Sequence, residues 1–311
     1  MYFPYFRLKQ EEAIAIRSVA DLIAPASQTP IIEPVKRSQT AMRRMIEIAQ
    51  NISNLGGDLI IIINPSEGDF SRDNTALITA INQIIPSTPN LIVGILIDNN
   101  TSITFLQGLL SNYNTSRIAI IHKTMSAIPN ISTLCGGVTY NIFIEGQVSS
   151  AYPNAFGGQK VLLNDGFNRQ NNADYVPDEY FSSLHLTYGQ QGYNGFGDFL
   201  TVGDFYRGGG GPAYAVALHL TYFRLPPNDP DLYIKHFISV TNDSVQNPAG
   251  KFAEAIASFE SHMISPNCVI ENTRGVRELR AYHASRHYPG LGMPKRLSMM
   301  HHMEIMANRF P

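Results

Sequence analysis

Along the first half of the chain, short apolar runs rich in β-branched residues alternate with longer stretches in which apolar positions recur every three to four residues. That is the pattern of consecutive βα units around a parallel sheet. Six runs predict strands: Phe3 to Leu8, Pro30 to Glu33, Asp58 to Asn64, Leu91 to Asp98, Arg117 to Lys123 and Val138 to Glu145. Leu59 to Ile63 and Leu91 to Ile97 are apolar on successive residues, which a strand tolerates only if both its faces are covered. Between the runs, Glu11 to Leu22, Ser38 to Ser53, Asp73 to Ile85 and Ser102 to Tyr113 predict helices, with Ser38, Asp73 and Thr101 or Ser102 placed to cap them.

A seventh strand is expected at Lys160 to Asp165, a short helix at Pro177 to Leu186, and an eighth strand at Gly197 to Asp204. The glycine run Gly208 to Gly211 then reads as a mobile loop over the strand ends, able to act as a lid. Ala213 to Phe223 and Leu232 to Val240 read as a hairpin across the Pro226 to Pro230 turn. Pro248 to Met263, Arg274 to Arg286 and Pro294 to Asn308 predict three closing helices, with Pro248 and Pro294 suited to a first helical turn. The expected fold is a (β/α)8 TIM-barrel-like domain over 1–247, including a 213–240 hairpin, with a helical C-terminal extension over 248–311 packed on it. An open doubly wound α/β sheet is the alternative, because the pattern is less regular past the sixth strand.

Composition narrows the setting. With 44% hydrophobic and 15% charged residues and a net charge of −2, the 311-residue chain is globular in balance and has no global field that would collect nucleic acid. Cys135 and Cys268, the two cysteines, lie far apart and match no metal or redox spacing, which suits a reducing cytoplasm. The opening meets charge by Arg7, and no apolar run approaches the roughly 18 residues of a membrane span, so neither export nor insertion is expected.

The candidate chemistry is positional. Lys9, Glu33, Asn64, Asp98, His122 with Lys123, Glu145, Asp165 and Asp204 each follow an apolar run, and in a parallel barrel such strand ends converge on the face that carries catalysis. Carboxylates clustered beside lysines are costly unless they pair or bind something. Lys9, Glu33, Lys36, His122 and Asp204 are therefore the candidate catalytic set. Glu33, Asp98, Glu145 and Asp165 are the candidate ligands for Mg²⁺ or Mn²⁺, with His122 to shuttle a proton. Lys9, Lys36 and Lys123 allow two further readings, an amine nucleophile or simple counter-ions, and anion binding suits Lys9 and Lys36 better. Gly195 to Asp198 and Gly208 to Gly211 fit neither the dinucleotide nor the P-loop spacing. In the tail, Arg274, Arg277, Arg280, His283, Arg286 and His287 recur at helical spacing, as a solvated face or as a surface for an acidic partner or nucleic-acid phosphate. The adjacent His301 and His302 point in different directions on a helix and do not suit one ion.

Several stretches carry a family resemblance: Met1 to Arg7 with Lys9-Gln10, Pro30 to Lys36, Gly197 to Asp204, Gly211 to Tyr222 and Gly290 to His302. Together they resemble the phage-type beta-protein family, in particular a shorter bacterial branch, over essentially the whole chain. The chain departs from that pattern at Leu8 and Glu11. The resemblance implies a barrel-like fold and recurrent positions at Lys9, Glu33, Lys36, Asp198, Asp204, His219, His301 and His302, but no established reaction. It also implies a place beside a second small gene in defence-type clusters. Two functions are expected from the whole reading. One is a metal-dependent hydrolase or phosphodiesterase acting on a phosphorylated or nucleotide-like substrate in phage defence. The other is a non-catalytic binding or regulatory partner of the neighbouring gene product.

Overall fold

The computed structural model describes every residue except 27, 210, 212, 225–229 and 311. Gly210 of the glycine run and residues 226–229 of the expected hairpin turn lie outside the described residues. In chain order the strands are β1 (Tyr2–Leu8), β2 (Ile31–Pro34), β3 (Leu59–Ile62), β4 (Leu91–Ile97), β5 (Ile118–His122), β6 (Tyr140–Ile144), β7 (Gln159–Asn164), β8 (Asp178–Ser182), β9 (Gly195–Asp198), β10 (Ala217–Phe223) and β11 (Leu232–Ile238). The helices are α1 (Gln10–Ile23), α2 (Gln39–Asn54), α3 (Thr75–Ile84), α4 (Ile103–Asn112), α5 (Ile131–Leu134), α6 (Leu184–Thr187), α7 (Pro248–Met263), α8 (Arg274–Ser285) and α9 (Gly292–Arg309). Two caps act as expected: Ser38 Oγ accepts from Ala41 N, and Ser102 Oγ accepts from Phe105 N. Asp73 instead accepts from Thr75 N one turn-residue ahead of α3.

Eight parallel strands, β1 to β7 and then β9, close into a barrel. Closure is set by β1, which pairs with β2 (Arg7 beside Glu33) on one side and with β9 (Phe3 beside Gly197) on the other. The open-sheet alternative is thereby excluded. The successive apolar residues have the predicted cause. In β4, Ile92 and Leu96 pack inside the barrel with Phe3, Ile62 and Ile121, while Val93, Ile95 and Ile97 face the surrounding helices. Each such buried side chain contributes roughly 1.5–3 kcal/mol of transfer free energy. The strand β9 sits close to β1 because its inward positions are glycines. A Cβ on Gly197 would stand 2.0 Å from the Phe3 carbonyl oxygen, so no other residue fits.

Two expectations about the second half are corrected. The stretch Pro177 to Leu186 is mainly the strand β8, followed by the single turn α6, because β11 offers it an unpaired edge. It completes a three-stranded antiparallel sheet in the order β10-β11-β8. The eighth barrel strand ends at Asp198, and the chain then turns through a short 3-10 segment at Leu200–Val202 before reaching Asp204. The helix α9 packs on α1, α8 and β10, and α7 packs on β11 and α8, so the C-terminal helices close over one side of the barrel and the added sheet. Among the described residues no helix is long and apolar enough to cross a membrane.

Candidate active site at the barrel mouth

Side chains alternate between the inside and the outside of a barrel strand. Tyr5, Ile31, Ile62, Leu96, Ile121 and Leu163 line the interior, so the next alternate positions, Arg7, Glu33, Asn64, Asp98, Lys123 and Asp165, form the rim at the strand C-terminal ends. Glu33 lies at the centre of this layer and is sealed from solvent. Its Oε2 accepts the Tyr5 hydroxyl at 2.8 Å and lies 3.3 Å from Arg7 Nε, while Oε1 accepts the Ser66 amide at 2.9 Å and the Ser66 hydroxyl at 3.2 Å. Lys123 Nζ donates to Ser66 Oγ at 2.9 Å and lies 3.6 Å from Glu67. On the other side Arg7 pairs with Asp204, whose amide donates to Asp165 Oδ2 at 2.7 Å. One polar chain therefore crosses the mouth, from Lys123 through Ser66, Glu33, Arg7 and Asp204 to Asp165.

Burial works against the charge on Arg7, but Tyr5, Glu33 and Asp204 outweigh it and hold the guanidinium more firmly protonated than usual. The same burial, with Glu33 beside it, keeps the Tyr5 hydroxyl protonated well above its ordinary range. Lys9 goes the other way. Burial first, and then the cations Lys295, Lys36 and Arg7, lower its pKa despite Glu12 nearby. Its Nζ donates to the Arg207 carbonyl and lies 5.0 Å from the centre of the Tyr206 ring. Lys9 and Lys36 also line a cleft of about 290 Å³ with Ser38 and Arg44, between α1 and α2.

Of the candidate catalytic set, Lys9, Glu33, Lys36 and Asp204 stand at this mouth or its edge, although Asp204 arrives from a loop rather than a strand end. His122 does not. With Ile121 inside, His122 falls on the outer face of β5, where it stacks on Phe143 with ring centres 4.5 Å apart and is fully sealed. Its Nε2 lies 3.2 Å from Asn141 Oδ1, and burial pushes its pKa down to about 4, so the expected proton shuttle at the rim is overturned. The four carboxylates proposed as metal ligands are likewise engaged separately. Glu33 is held as described, Asp98 accepts from Asn100 N and Thr101 Oγ1, Glu145 accepts from Asn164, and Asp165 accepts from Phe167 N and Asp204 N. Among the described residues no group of three or more His, Cys, Asp or Glu side chains is arranged to hold a metal ion. Arg7, Tyr5 and Ser66 were missed from sequence; β1 is apolar on both faces up to Arg7, so nothing local shows that Tyr5 and Arg7 share its inward face.

A second polar network lies outside the barrel wall, under α9. His302 Nε2 is 3.1 Å from Asp198 Oδ2 and 2.9 Å from the Tyr2 hydroxyl, which itself donates to Asp198 Oδ1 at 2.8 Å. His302 Nδ1 meets Thr221 Oγ1 at 2.8 Å. His301 turns the opposite way, with Nε2 donating to the Thr221 carbonyl at 2.7 Å and Nδ1 at 2.8 Å from Thr273 Oγ1. Both rings are sealed from solvent, and burial lowers His301 to about 4. The Thr221, His302 and Asp198 series has the connectivity of a hydrolytic triad, but no substrate could reach it; it pins α9 to β1, β9 and β10. The tail arginines are also partly spent. Arg274 makes a two-pronged pair with Asp21 at 2.7 Å, and Arg280 pairs with Glu260 at 2.8 Å.

No protein-family model matches the chain, and no curated protein does. Among solved structures, a maltogenic α-amylase from Thermotoga neapolitana is similar at a TM-score of 0.38 and 8% identity, covering 64% of this chain and 66% of its own. An O-GlcNAc hydrolase variant from Thermobaculum terrenum is similar at a TM-score of 0.38 and 10% identity, covering 64% of this chain and 54% of its own. The chain spans less than two thirds of either structure, and likeness at this level carries no argument about chemistry.

Proposed function

We propose that the barrel mouth binds and processes a small anionic substrate whose recognised group is a phosphate. The observation that carries this reading is Arg7. Its side chain is only 10% exposed, and its buried Nε has no hydrogen-bond partner although Glu33 lies 3.3 Å away. A buried donor left wholly unsatisfied costs about 1–3 kcal/mol, and Arg7 also lines a small cavity with Lys9 and Lys295, where an oxyanion would meet the guanidinium. Lys9 lines that small cavity with Arg7 and a neighbouring cleft with Lys36, while Lys123 reaches the rim through Ser66; burial first and then the cations Lys295, Lys36 and Arg7 lower the Lys9 pKa, and an entering anion counters that repulsion.

Mg²⁺ or Mn²⁺ fits this reading as an ion that arrives on the substrate's phosphates and touches one or two rim carboxylates, rather than one held in a cage of protein ligands. A nucleotide-like phosphate also suits the defence setting that the family resemblance implies. The test is calorimetric titration with a panel of nucleotides and sugar phosphates beside their unphosphorylated counterparts. Phosphorylated members are expected to bind, and R7K, which keeps the charge but loses the planar fork, is expected to weaken them by about tenfold or more. Equal affinity for the unphosphorylated members, or no effect of R7K, would overturn the proposal.

A further inference from the structure

Ser66 is the one hydroxyl in the molecule set between an amine and a carboxylate at an open cavity among the described residues. Lys123 Nζ lies 2.9 Å from its Oγ on one side and Glu33 Oε1 3.2 Å on the other. Each partner is held in turn by a third group: Glu33 by Tyr5 and Arg7, Lys123 by Glu67 at 3.6 Å. That is the arrangement of an activated nucleophile, with the base oriented by further residues. The turn that carries Ser66 is rigid. Asn64 extends the ladder by donating to the Leu96 carbonyl at 2.8 Å and accepting from Leu96 N at 2.9 Å, and Asn74 Nδ2 donates to the Ile63 carbonyl at 2.8 Å. Ser66 is half-buried and lines a cavity of about 390 Å³ with Asn64, Asp98, Arg72 and Phe105, large enough for a small substrate.

We propose that Ser66 is the nucleophile of the mouth and attacks the phosphorus of the bound substrate. This rests on the anionic-substrate reading above. As the Oγ–P bond forms, the hydroxyl proton passes to Glu33 Oε1. The bond from phosphorus to the leaving oxygen breaks, and that oxygen departs with the electron pair and takes a proton from water. The hydroxide left by that water then attacks the phosphorus, the Oγ–P bond breaks, and Ser66 Oγ leaves with the electron pair and takes back the proton held by Glu33. Lys123 stabilises the developing charge, and Glu33 is the general base. If instead Ser66 only fastens the β3 turn to Glu33, its hydroxyl has no special reactivity.

A fluorophosphonate probe separates the two without knowledge of the substrate. Ser66 Oγ displaces fluoride, which leaves with its electron pair while Glu33 takes the proton, and the chain gains the phosphonyl group. Intact mass is expected to show one adduct, mapped by peptide fragmentation to Ser66, that is absent in S66A and retained in S71A. E33Q is expected to slow labelling about 100-fold and K123M about tenfold. No adduct on the folded protein, labelling that persists in S66A, or E33Q labelling at the parent rate would each overturn the proposal. If labelling fails while phosphorylated ligands still bind, Ser66 is not the nucleophile and the anion-site reading stands; if Ser66 labels but nothing phosphorylated binds, that reading fails instead.

Discussion

The mouth and the network under α9 are both polar, both built across β1, and differ in how completely their groups are satisfied. Under α9, each ring nitrogen of His301 and His302 has a partner within 3.1 Å and none of these atoms meets water. At the mouth, Arg7 keeps a buried donor without a hydrogen bond, Lys9 is crowded by other cations, and Ser66 opens on a cavity. A buried network that closes on itself specifies structure, because every member loses a partner if another is removed. A network left incomplete at an opening carries a standing free-energy cost that a ligand can offset. Seven of the eight residues suggested by family resemblance divide along this line: Lys9, Glu33, Lys36 and Asp204 stand at the mouth, whereas Asp198, His301 and His302 hold α9; the eighth, His219 on β10, belongs to neither and meets His236 Nδ1 at 2.7 Å.

The largest effect expected from breaking this contrast is on α9. The substitution H302L keeps volume but strips Asp198, Tyr2 and Thr221 of a shared partner and leaves a buried carboxylate short of a donor, at a cost of about 3–5 kcal/mol. Chemical denaturation should show that loss while binding at the mouth is unchanged; a loss below about 1 kcal/mol would mean the network is not what holds the helix. Acid comes next. His122 and His301 are held by burial at about 4, whereas the unfolded rings titrate near 6.5. Between those values the unfolded chain binds more protons than the fold, so stability is whole above pH 6.5, falls as pH falls through the window, and levels off below about 4. Each histidine contributes about 3 kcal/mol to that fall. Denaturation midpoints at pH 7 and pH 4.5 measure it, and H122F should remove its share; a flat profile would show that these rings are hydrated.

How much of this was legible in the sequence follows from the same physics. Apolar residues on successive positions of β3 and β4 announced a sheet covered on both faces, and the caps at Ser38 and Ser102 announced where helices begin, because those signals are local. What such runs lack is parity. When both faces are apolar, nothing along Ile118 to Lys123 tells whether His122 or Lys123 points inward, and the pairing with its neighbours decides for Lys123. The stretch that forms β8 reads as a helix in sequence because its partner edge lies on β11, about fifty residues further on, and no local pattern carries that. Ser66 sits past a proline beyond the end of β3, and its importance exists only once β2 and β5 bring Glu33 and Lys123 to it.

At the mouth, E33Q tests the contrast from the other side. A glutamine can satisfy the Ser66 amide through its oxygen, but its amide nitrogen faces the Tyr5 hydroxyl and Arg7, so a loss of about 1–2 kcal/mol is expected, smaller than at His302. Removing this carboxylate also takes negative charge from beside Arg7. Phosphorylated ligands should therefore bind as tightly as before or a few-fold tighter while turnover and probe labelling collapse, a split that calorimetry and a single-turnover assay would read directly. Weaker binding in E33Q, with turnover preserved, would contradict both the charge balance and the role of Glu33 as base.

The smallest effect belongs to Lys36, and its smallness is the point. Its contact with Asp69 is 3.7 Å long and both partners are more than a third exposed, so the pair is worth about 0–1 kcal/mol before screening by salt. K36M should leave the denaturation midpoint almost unmoved. Yet Lys36 lines the same cleft as Lys9, and a cation that adds nothing to the fold can still add to the potential met by an anion. Affinity for phosphorylated ligands is expected to fall two- to threefold at low salt, with the difference vanishing as ionic strength rises and the Debye length shrinks below about 10 Å. A K36M protein with unchanged affinity at low salt would confine the anion site to Arg7, Lys9 and Lys123, and a destabilised one would show that the edge of the mouth is held together in the manner of α9.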